Sequence, residues 1–307
     1  MRQELKDVLF EQISGAVRSE KPTTPDHRPN HNAVFTISAG KVSCDDALAP
    51  NVVRGDEFTR VLEACDLEGL KPVEFLLHTS DTSVDCHSCE SMLTFAYCKG
   101  VDQKAITVPN PHITMGWVDR HIRTVLGNDR DYKDKLDKSV FAGALTGSGT
   151  RAEYCESVLG SRLHDAHITG SLQDFDLDSF PHLREYYLDR KLRIRDQLRY
   201  KFNVTIDGNA LCYCRLYWQM ASNSVPVYIN RMKDQIQLHD YLLQPDVHYV
   251  ETTIEEWPEV FNFLLTTTEG QEKCEYIRHK GTEFVNLHFM DSAQDSVRIM
   301  EFVLRHL

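Results

Sequence analysis

The spacing of apolar residues in the first part of the chain predicts helices mixed with short strands. Apolar side chains within residues 2–19 recur every three to four positions, which is typical of a helix that buries one face. Short apolar runs bounded by polar turns predict strands further along. The predicted helices cover 2–19, 56–64 and 113–126, and the predicted strands cover Ala33–Ser38, Val73–His78, Met92–Tyr97 and Ala105–Val108.

Beyond a highly charged stretch at 127–135, the pattern becomes a regular alternation of strands and helices. The predicted strands are Ser139–Ala142, His164–Thr169, Phe202–Ile206, Ser224–Tyr228 and Val247–Val250, and the predicted helices cover 150–159, 180–198, 211–221 and 254–307. Because such alternation builds a parallel sheet covered on both faces, the sequence predicts an α/β fold. We place domain boundaries so that the domains cover 1–135 and 136–290, followed by a C-terminal helix over 291–307.

Composition and charge exclude several classes of protein. Of the 307 residues, 41% are hydrophobic and 26% charged, which is ordinary for a globular chain and excludes a disordered or collagenous one. Asp and Glu outnumber Lys and Arg by 46 to 34, so the formal net charge is −12. An acidic surface repels phosphate backbones, which disfavours a general nucleic-acid binder.

The sequence favours a cytoplasmic location. Glu4, Asp7 and Glu11 fall within the first twenty residues, where the core of a signal peptide excludes charge. No apolar run is long enough for a transmembrane segment. Nine cysteines, an odd number, are spread over the chain, and we interpret them as reduced thiols.

A glycine-rich turn between Phe141 and Arg151 is the strongest local signal. A short apolar strand runs into this turn, which then opens a helix. Glycines allow the backbone to approach an anion closely, and a helix N-terminus presents free N–H groups and positive potential. Arg151, in the first turn of the helix, could bind a phosphate through two hydrogen bonds. An ordinary strand-to-helix turn would show the same pattern.

The same turn partly fits a dinucleotide-binding fingerprint. Gly147, Gly149 and Ala152 stand in the right order, and Asp165 follows eighteen residues after Gly147. In a dinucleotide site, however, the first glycine stands at the end of the strand. A NAD-dependent oxidoreductase is therefore an alternative interpretation.

A second apolar strand ends in Asp207, Gly208 and Asn209, and the predicted helix that follows carries Arg215 in its second turn. In an open α/β sheet, ligands bind at the carboxyl ends of the strands. Two strand ends, each followed by an arginine, would converge on one anionic group. Arg215 lies among apolar residues, where an unpaired charge is costly, so it needs a partner such as a diphosphate.

A third apolar strand, Val73–His78, leads to Asp81 in a polar turn. A carboxylate at this position could act as a general base toward a hydroxyl, although an aspartate in a turn after a strand is also common without function.

Cys86 and Cys89 have the spacing of half a zinc site. A zinc-stapled, non-enzymatic interaction module is therefore a further alternative.

Four segments in this order resemble glycosyltransferase family 90, the protein O-glucosyltransferase and capsule-associated-protein family. They are the run from Tyr200 to Ala210 with Arg215, the strand Ser224–Tyr228, the segment 242–250, and the turn 141–151. The resemblance covers about 138 to 290 and is looser over 70–120.

The resemblance implies two Rossmann-like lobes of the GT-B type, with the donor site in the cleft between them. Residues 1–135 would form the acceptor-side lobe and residues 136–290 the lobe that binds the nucleotide sugar. It further implies an inverting transfer, without a metal or other cofactor, of glucose or xylose from a UDP-sugar to a hydroxyl of a glycan or glycoprotein.

The resemblance also assigns residues. Asp81 resembles the catalytic base of the family, and Arg151 and Arg215 match the arginines that bind the diphosphate, together with Thr146 and Gly147. The nucleobase or sugar of the donor is expected near Asp165, Ala166, Asp207, Gly208 and Asn209. Family members typically enter the secretory pathway. Since no leader is apparent here, we expect a microbial or viral glycan assembler that acts in the cytosol.

Overall fold

The structure of the chain is a computed structural model that describes residues 1–16, 32–45, 52–79, 92–147, 149–170, 180–188 and 191–307. The strands are β1 Asn32–Ser38, β2 Lys41–Asp45, β3 Val73–His78, β4 Thr94–Ala96, β5 Lys99–Gly100, β6 Ile106–Thr107, β7 Leu136–Gly143, β8 His164–Thr169, β9 Tyr187–Leu188, β10 Tyr200–Ile206, β11 Val225–Ile229, β12 Gln235–Ile236 and β13 Val250–Thr252. The helices are α1 Gln3–Gly15, α2 Val52–Glu63, α3 Pro111–Thr114, α4 Trp117–Asn128, α5 Thr150–Ser157, α6 Ile194–Gln197, α7 Arg215–Met220, α8 Trp257–Thr266, α9 Thr268–His288 and α10 Ser292–His306.

The described residues group into two units. The first unit holds Met1–Trp117, Lys233–Leu242 and Asp291–Leu307, and the second holds Val118–Met232 and Leu243–Met290. The sequence-based assignment of an acceptor-side domain to 1–135 and a nucleotide-sugar domain to 136–290 stays a prediction.

The first unit contains a five-stranded sheet in the order β2-β1-β3-β4-β6. β1 pairs antiparallel with β2 and β3, whereas β3, β4 and β6 run parallel. Phe35 on β1 lies opposite Phe75 on β3, and their rings stack with centroids 5.5 Å apart. Helix α10 adds Ile299, Met300 and Val303 to the same core, so the carboxyl-terminal helix is part of this unit.

The second unit contains six strands in the order β13-β11-β10-β7-β8-β9, all parallel. Counted along the chain, this order is six-five-four-one-two-three. The same order, read from its other edge, is that of dinucleotide-binding Rossmann folds. β8 and β9 lie on one side of β7, and β10, β11 and β13 lie on the other side. The strand order therefore reverses between β7 and β10.

Helices cover both faces of this parallel sheet. On one face, the buried side chains Phe141 and Phe202 pack in one cluster with Tyr154 of α5 and Trp257 of α8. A smaller cluster joins α4 with α7. Together with the parallel strands of the first unit, this arrangement confirms the prediction of an α/β fold with two Rossmann-like lobes.

The predicted long helix over 180–198 is wrong. Residues 181–186 form a 3₁₀ turn, Tyr187 and Leu188 form the edge strand β9, and of the residues described in this range only Ile194–Gln197 are α-helical. The backbone of β9 pairs with Ile168 and Thr169 of β8. These ladder hydrogen bonds override the local helical spacing of the apolar residues.

Two further helices differ from their predicted bounds. The helix predicted over 113–126 is split into α3 and α4, because Gly116 adopts the left-handed φ of 68° and ends α3. The helix predicted over 211–221 begins only at Arg215, so Arg215 lies in its first turn and not in its second. The N–H of Cys212 donates to the carboxylate of Asp207, which holds the preceding residues in a loop.

Among the helices of the described residues, none combines the length and the apolar character that crossing a membrane requires.

Candidate functional site

The candidate site lies at the carboxyl ends of β7 and β10, where the strand order of the second unit reverses. β7 ends at Gly143 and β10 at Ile206, and each strand is followed by an irregular loop. Ligands of open parallel sheets bind in the crevice outside the carboxyl ends of the strands at such a point. The two loops singled out from the sequence therefore meet where this fold class places its ligand.

Two glycines bring these loops into direct contact. Gly147 has a φ of 84°, and a Cβ at this position would overlap the carbonyl oxygen of Gly208 and lie 3.0 Å from its Cα. A Cβ at Gly208 would lie 2.6 Å from Thr146 Oγ1 and 2.9 Å from Arg151 Nη2. Neither position has room for a side chain, so the close approach of the loops requires glycine at both.

The guanidinium of Arg151 joins the two strand ends. Its Nη1 donates to the carbonyl of Ala144 and to Thr146 Oγ1, both at 2.8 Å. Its Nε and Nη2 donate to the carbonyl of Ile206 at 3.2 and 3.0 Å. Burial lowers the pKa of Arg151, and the positive charge of Arg215 lowers it further. All three acceptors are neutral, and the negative charge of Asp207 opposes the lowering of the pKa of Arg151.

Arg215 contributes a second positive charge at the same strand end. Its guanidinium lies 5.6 Å from the ring centroid of Phe141, and its Nη2 lies 3.3 Å from the Cβ position of Gly143. Its Nη1 is buried and has no hydrogen-bond partner among the described residues. A buried cationic donor without an acceptor costs more than a neutral one. An anionic ligand would provide the acceptor.

The carboxylate of Asp207 is bound within the protein. Its Oδ1 accepts from the hydroxyl of Tyr228 and from the N–H of Cys212 at 2.9 Å, and its Oδ2 accepts from the N–H of Met232 at 2.9 Å. Burial raises the pKa of Asp207, and the hydrogen bond from Tyr228 opposes this shift. The observed contacts give Asp207 the role of holding the loop. Its participation in donor binding stays a prediction.

Replacing Asp207 with asparagine should destabilise the protein. One side-chain oxygen becomes an NH₂ group, which donates and does not accept. The backbone N–H of Cys212 or of Met232 therefore loses its acceptor. An unmatched buried donor costs about 1–3 kcal/mol. We expect urea denaturation to show a loss of this size, with a smaller loss of about 1 kcal/mol for Tyr228→Phe. Unchanged stability of Asp207→Asn, together with weakened nucleotide binding, would instead assign Asp207 to the ligand.

The structure does not bring Asp165 and Ala166 to this site. Asp165 lies near the beginning of β8, where Lys138 Nζ and the hydroxyl of Tyr200 donate to its carboxylate at 3.1 and 2.7 Å. Four residues of strand, or about 13 Å, separate it from the carboxyl end of β8 at Thr169. Ala166 is buried in the apolar cluster under the sheet. Their assignment to the nucleobase pocket stays a prediction.

The remaining residues singled out from the sequence are Asn209, Asp81, Cys86 and Cys89, and the structure describes only the first of them. Asn209 is exposed in the loop after β10. Asp81, Cys86 and Cys89 lie outside the described residues. Within the described ranges, no cluster of three or more His, Cys, Asp or Glu side chains has the arrangement of a metal site.

Sequence reasoning missed Tyr228, which donates its hydroxyl hydrogen to Asp207. The sequence showed that Tyr228 ends the predicted strand Ser224–Tyr228, whereas the pairing of β11 with β10 is seen only in the structure. Residues at the carboxyl end of a strand adjoining the reversal point belong to the ligand edge of the sheet. The spacing of the sequence does not show which strands adjoin, so this residue could not be selected.

No protein-family model matches this chain, and no curated protein sequence matches it. Solved structures that match include HepE of Anabaena in complex with UDP-glucose, with 13% identity and a TM-score of 0.39 over 60% of this chain and 52% of that chain. The C-terminal domain of a glycosyl transferase group 1 family protein, LpcC, from Francisella tularensis matches with 11% identity and a TM-score of 0.36 over 59% of this chain and 94% of that chain. TarM matches with 8% identity and a TM-score of 0.36 over 70% of this chain and 51% of that chain.

This chain spans about half the length of two of these three structures. Likeness at this level of identity and TM-score carries no functional argument. The functional argument rests on the residues of the site.

Proposed function

We propose that this chain is an inverting, metal-independent glycosyltransferase that transfers glucose or xylose from a UDP-sugar to a hydroxyl of a glycan or glycoprotein. The observation that carries the proposal is the buried Nη1 of Arg215, which lacks a partner among the described residues at the ligand edge of a Rossmann-type sheet. An anionic ligand fits this position. The resemblance of residues 138–290 to glycosyltransferase family 90 suggests that the anion is the diphosphate of a sugar nucleotide.

The proposed reaction moves negative charge onto the diphosphate. The bond from the anomeric carbon to the phosphate oxygen breaks, and a bond to the acceptor oxygen forms. Arg215 and Arg151 would stabilise the leaving diphosphate with fixed positive charge, assisted by the N-terminus of α5. Gly149 is the N-cap of this helix, and no described side chain caps it. Two guanidinium groups and a helix N-terminus can neutralise this charge without a divalent cation.

Inversion requires a base on the face of the sugar opposite the diphosphate. In this proposal, the carboxylate of Asp81 accepts the proton of the acceptor hydroxyl as the hydroxyl oxygen attacks the anomeric carbon. In the sequence Asp81 follows β3, which ends at the buried residue His78 and is followed by the buried Thr79. Strand ends of parallel sheets carry catalytic groups in this fold class.

A NAD-dependent oxidoreductase is the second candidate, because the strand order of the second unit is that of dinucleotide-binding domains. Such a domain uses an acidic residue after its second strand to bind the ribose. Asp165, the residue that fits the sequence fingerprint, lies near the beginning of β8 and bonds with Lys138 and Tyr200. This position argues against the dinucleotide interpretation.

Thermal shift with a panel of nucleotides tests the proposal. We expect UDP and one UDP-sugar to raise the melting temperature with or without chelator, and NAD to have no effect. Arg215→Ala should lose a charged hydrogen bond worth about 1.5–3 kcal/mol, so calorimetry should show UDP affinity lowered roughly 10- to 100-fold. Arg193→Ala is a matched control, since Arg193 forms an exposed pair with Asp196 in the same unit.

Two outcomes would contradict the proposal, and a third would contradict the role given to Arg215. Stabilisation by NAD but not by UDP would favour the oxidoreductase. Stabilisation by zinc alone, lost with chelator, would favour the interaction module around Cys86 and Cys89. Unchanged UDP affinity of Arg215→Ala would remove Arg215 from the diphosphate site.

A further inference from the structure

The sequence of β10 contains an acceptor motif for N-linked glycans. Asn203, Val204 and Thr205 form the pattern Asn-x-Thr, and no other Asn-x-Ser or Asn-x-Thr occurs in the chain. In secreted proteins this motif usually lies on a surface loop, because the attached glycan is bulky and needs solvent around it. Here all three residues lie inside the strand Tyr200–Ile206, and the proposed function does not use them.

Strand β10 is an interior strand of the six-stranded sheet. Its neighbours are β7 and β11, and Asn203 lies opposite Val140 of β7 and Pro226 of β11. Neighbouring strands are about 4.8 Å apart, so a bulky group cannot leave in the plane of the sheet. Asn203 and Thr205 are both 0% exposed. The side-chain amide to which a glycan would be attached therefore has no contact with solvent in the folded unit.

Helix α7 covers the face of β10 to which the acceptor side chain points. Residues two apart in a strand point to the same face, so Asn203 and Thr205 share one face of the sheet. On that face, the hydroxyl of Thr205 donates to Gln219 Oε1 of α7 at 2.7 Å. Gln219 is itself fully buried, and its Nε2 donates to the carbonyl of Val204 at 3.4 Å. Because protein interiors are close-packed, this face has no room for a sugar ring.

The fold does not use the side-chain amide of Asn203. Its Nδ2 and Oδ1 are buried, and neither has a hydrogen-bond partner among the described residues. Replacing such a group with an apolar one of similar size removes no hydrogen bond and avoids the cost of burying a polar group. Asn203→Val is therefore expected to fold, with a melting temperature equal to or above that of the unmodified chain. This makes it a suitable control without the acceptor.

We propose that an N-linked glycan on Asn203 and the fold of the second unit exclude each other. The motif is accessible only in the unfolded chain, and a chain modified there cannot form β10 between β7 and β11. It follows that this chain folds where N-linked glycans are not attached. The reagent belongs to the class of oligosaccharides that are linked to a lipid through a diphosphate. The inference does not depend on the proposed sugar-nucleotide donor.

Attachment of the glycan is a group transfer. The Nδ2 of Asn203 forms a bond to the anomeric carbon of the first sugar, and the bond from this carbon to the phosphate oxygen of the lipid carrier breaks. The lipid diphosphate leaves, and one proton of the amide passes to a base of the transferring enzyme. Neither partner is oxidised or reduced.

The order of segments along the chain favours modification before folding. N-linked glycans are attached while the chain is being synthesised, whereas Asn203 becomes enclosed only after later segments have emerged. Gln219 of α7 and Val225 of β11 follow Thr205 by 14 and 20 residues. At about 5–20 residues per second, they emerge roughly one to four seconds later. The motif is thus open when the transferring enzyme meets it.

Expression by two routes in one eukaryotic cell line tests the proposal. The full chain is produced once without a leader and once behind a cleavable secretory leader. Without the leader, we expect an unmodified chain that unfolds cooperatively on heating. With the leader, mass spectrometry should find a glycan on Asn203, and the modified chain should show no cooperative thermal transition. Behind the same leader, Asn203→Val should carry no glycan, whereas Thr205→Ser keeps the motif and should still be modified.

Refolding removes the influence of the compartment, in which the nine cysteines could form disulfides. Glycosylated and unmodified full chains are unfolded in urea with dithiothreitol and diluted into the same reducing buffer. The unmodified chain should regain its cooperative transition, and the glycosylated chain should not. Endoglycosidase H leaves a single sugar on Asn203. This trimmed chain should also fail to refold, because one sugar ring already exceeds the space under α7.

Two results would overturn the inference. One is a glycosylated or trimmed chain that unfolds cooperatively at the melting temperature of the unmodified chain, because the fold would then accommodate the modification. The other is a leader-directed chain that folds with Asn203 unmodified, because folding would then outpace the transfer and the motif would not restrict where the chain folds. Neither result bears on the binding of UDP, which the nucleotide panel measures separately.

Discussion

Replacing Gly147 with alanine is expected to be the most damaging single change in the described part of the site. The added Cβ would overlap the carbonyl oxygen of Gly208, and alanine would have to adopt the left-handed φ of 84°. The backbone conformation costs about 1–2 kcal/mol, and relieving the overlap costs about 1–3 kcal/mol more. We expect a loss of about 3 kcal/mol, which lowers the melting temperature by about 6–12 °C.

Gly149→Ala is the matched control for this change. Gly149 also has a left-handed φ, of 93°, but a Cβ there meets nothing within 4 Å. Its substitution should cost only the backbone term of about 1–2 kcal/mol. Thermal denaturation of both variants, together with UDP calorimetry, separates the two effects. Equal losses for the two alanines would show that the contact of Gly147 with Gly208 is not what holds the loops together.

Replacing Asp81 with asparagine is expected to slow sugar transfer at least about 10²-fold, the usual effect of removing a general base. The amide cannot accept the proton of the acceptor hydroxyl, whereas the proposed diphosphate site on the second unit is unchanged. UDP affinity should therefore stay that of the unmodified chain. Turnover with the UDP-sugar identified by thermal shift, together with UDP calorimetry, checks both halves of the prediction.

Asp102→Asn provides the comparison, because Asp102 is an exposed aspartate in a turn of the same unit and should leave turnover unchanged. Asp81→Asn that turns over at the normal rate would exclude Asp81 as the base. Lost UDP affinity in Asp81→Asn would point instead to a role in holding the donor.

The paired arginines show how far a sequence can identify a site. Arg151 and Arg215 could be selected because each follows an apolar strand and a glycine-containing turn, and such strand ends meet at one edge of a parallel sheet. The difference in their hydrogen-bond partners could not be predicted from the sequence. Arg151 donates to carbonyls of both strand ends, whereas Arg215 keeps a buried donor without a described partner. This difference depends on distances between loops that are 60 residues apart.

Asp165 shows the opposite case. Its distance along the chain from Gly147 suits a nucleotide-binding residue, yet its side chain bonds with Lys138 and Tyr200 near the beginning of its strand. Spacing along the chain measures only the length of the connection. Which end of a strand a residue occupies depends on where that strand starts and on which strands it pairs with.

By itself, the sequence determined the class of the fold, most strands of the sheets and the glycine turns, because each of these depends on local periodicity and backbone preference. Only the tertiary structure decided the order of the strands, and with it the meeting of Gly147 and Gly208 at the reversal between β7 and β10. It also decided that Tyr187 and Leu188 form an edge strand and not part of the helix predicted over 180–198. Hydrogen bonds between distant segments outweigh local propensities of a few tenths of a kcal/mol per residue, and no local pattern records them.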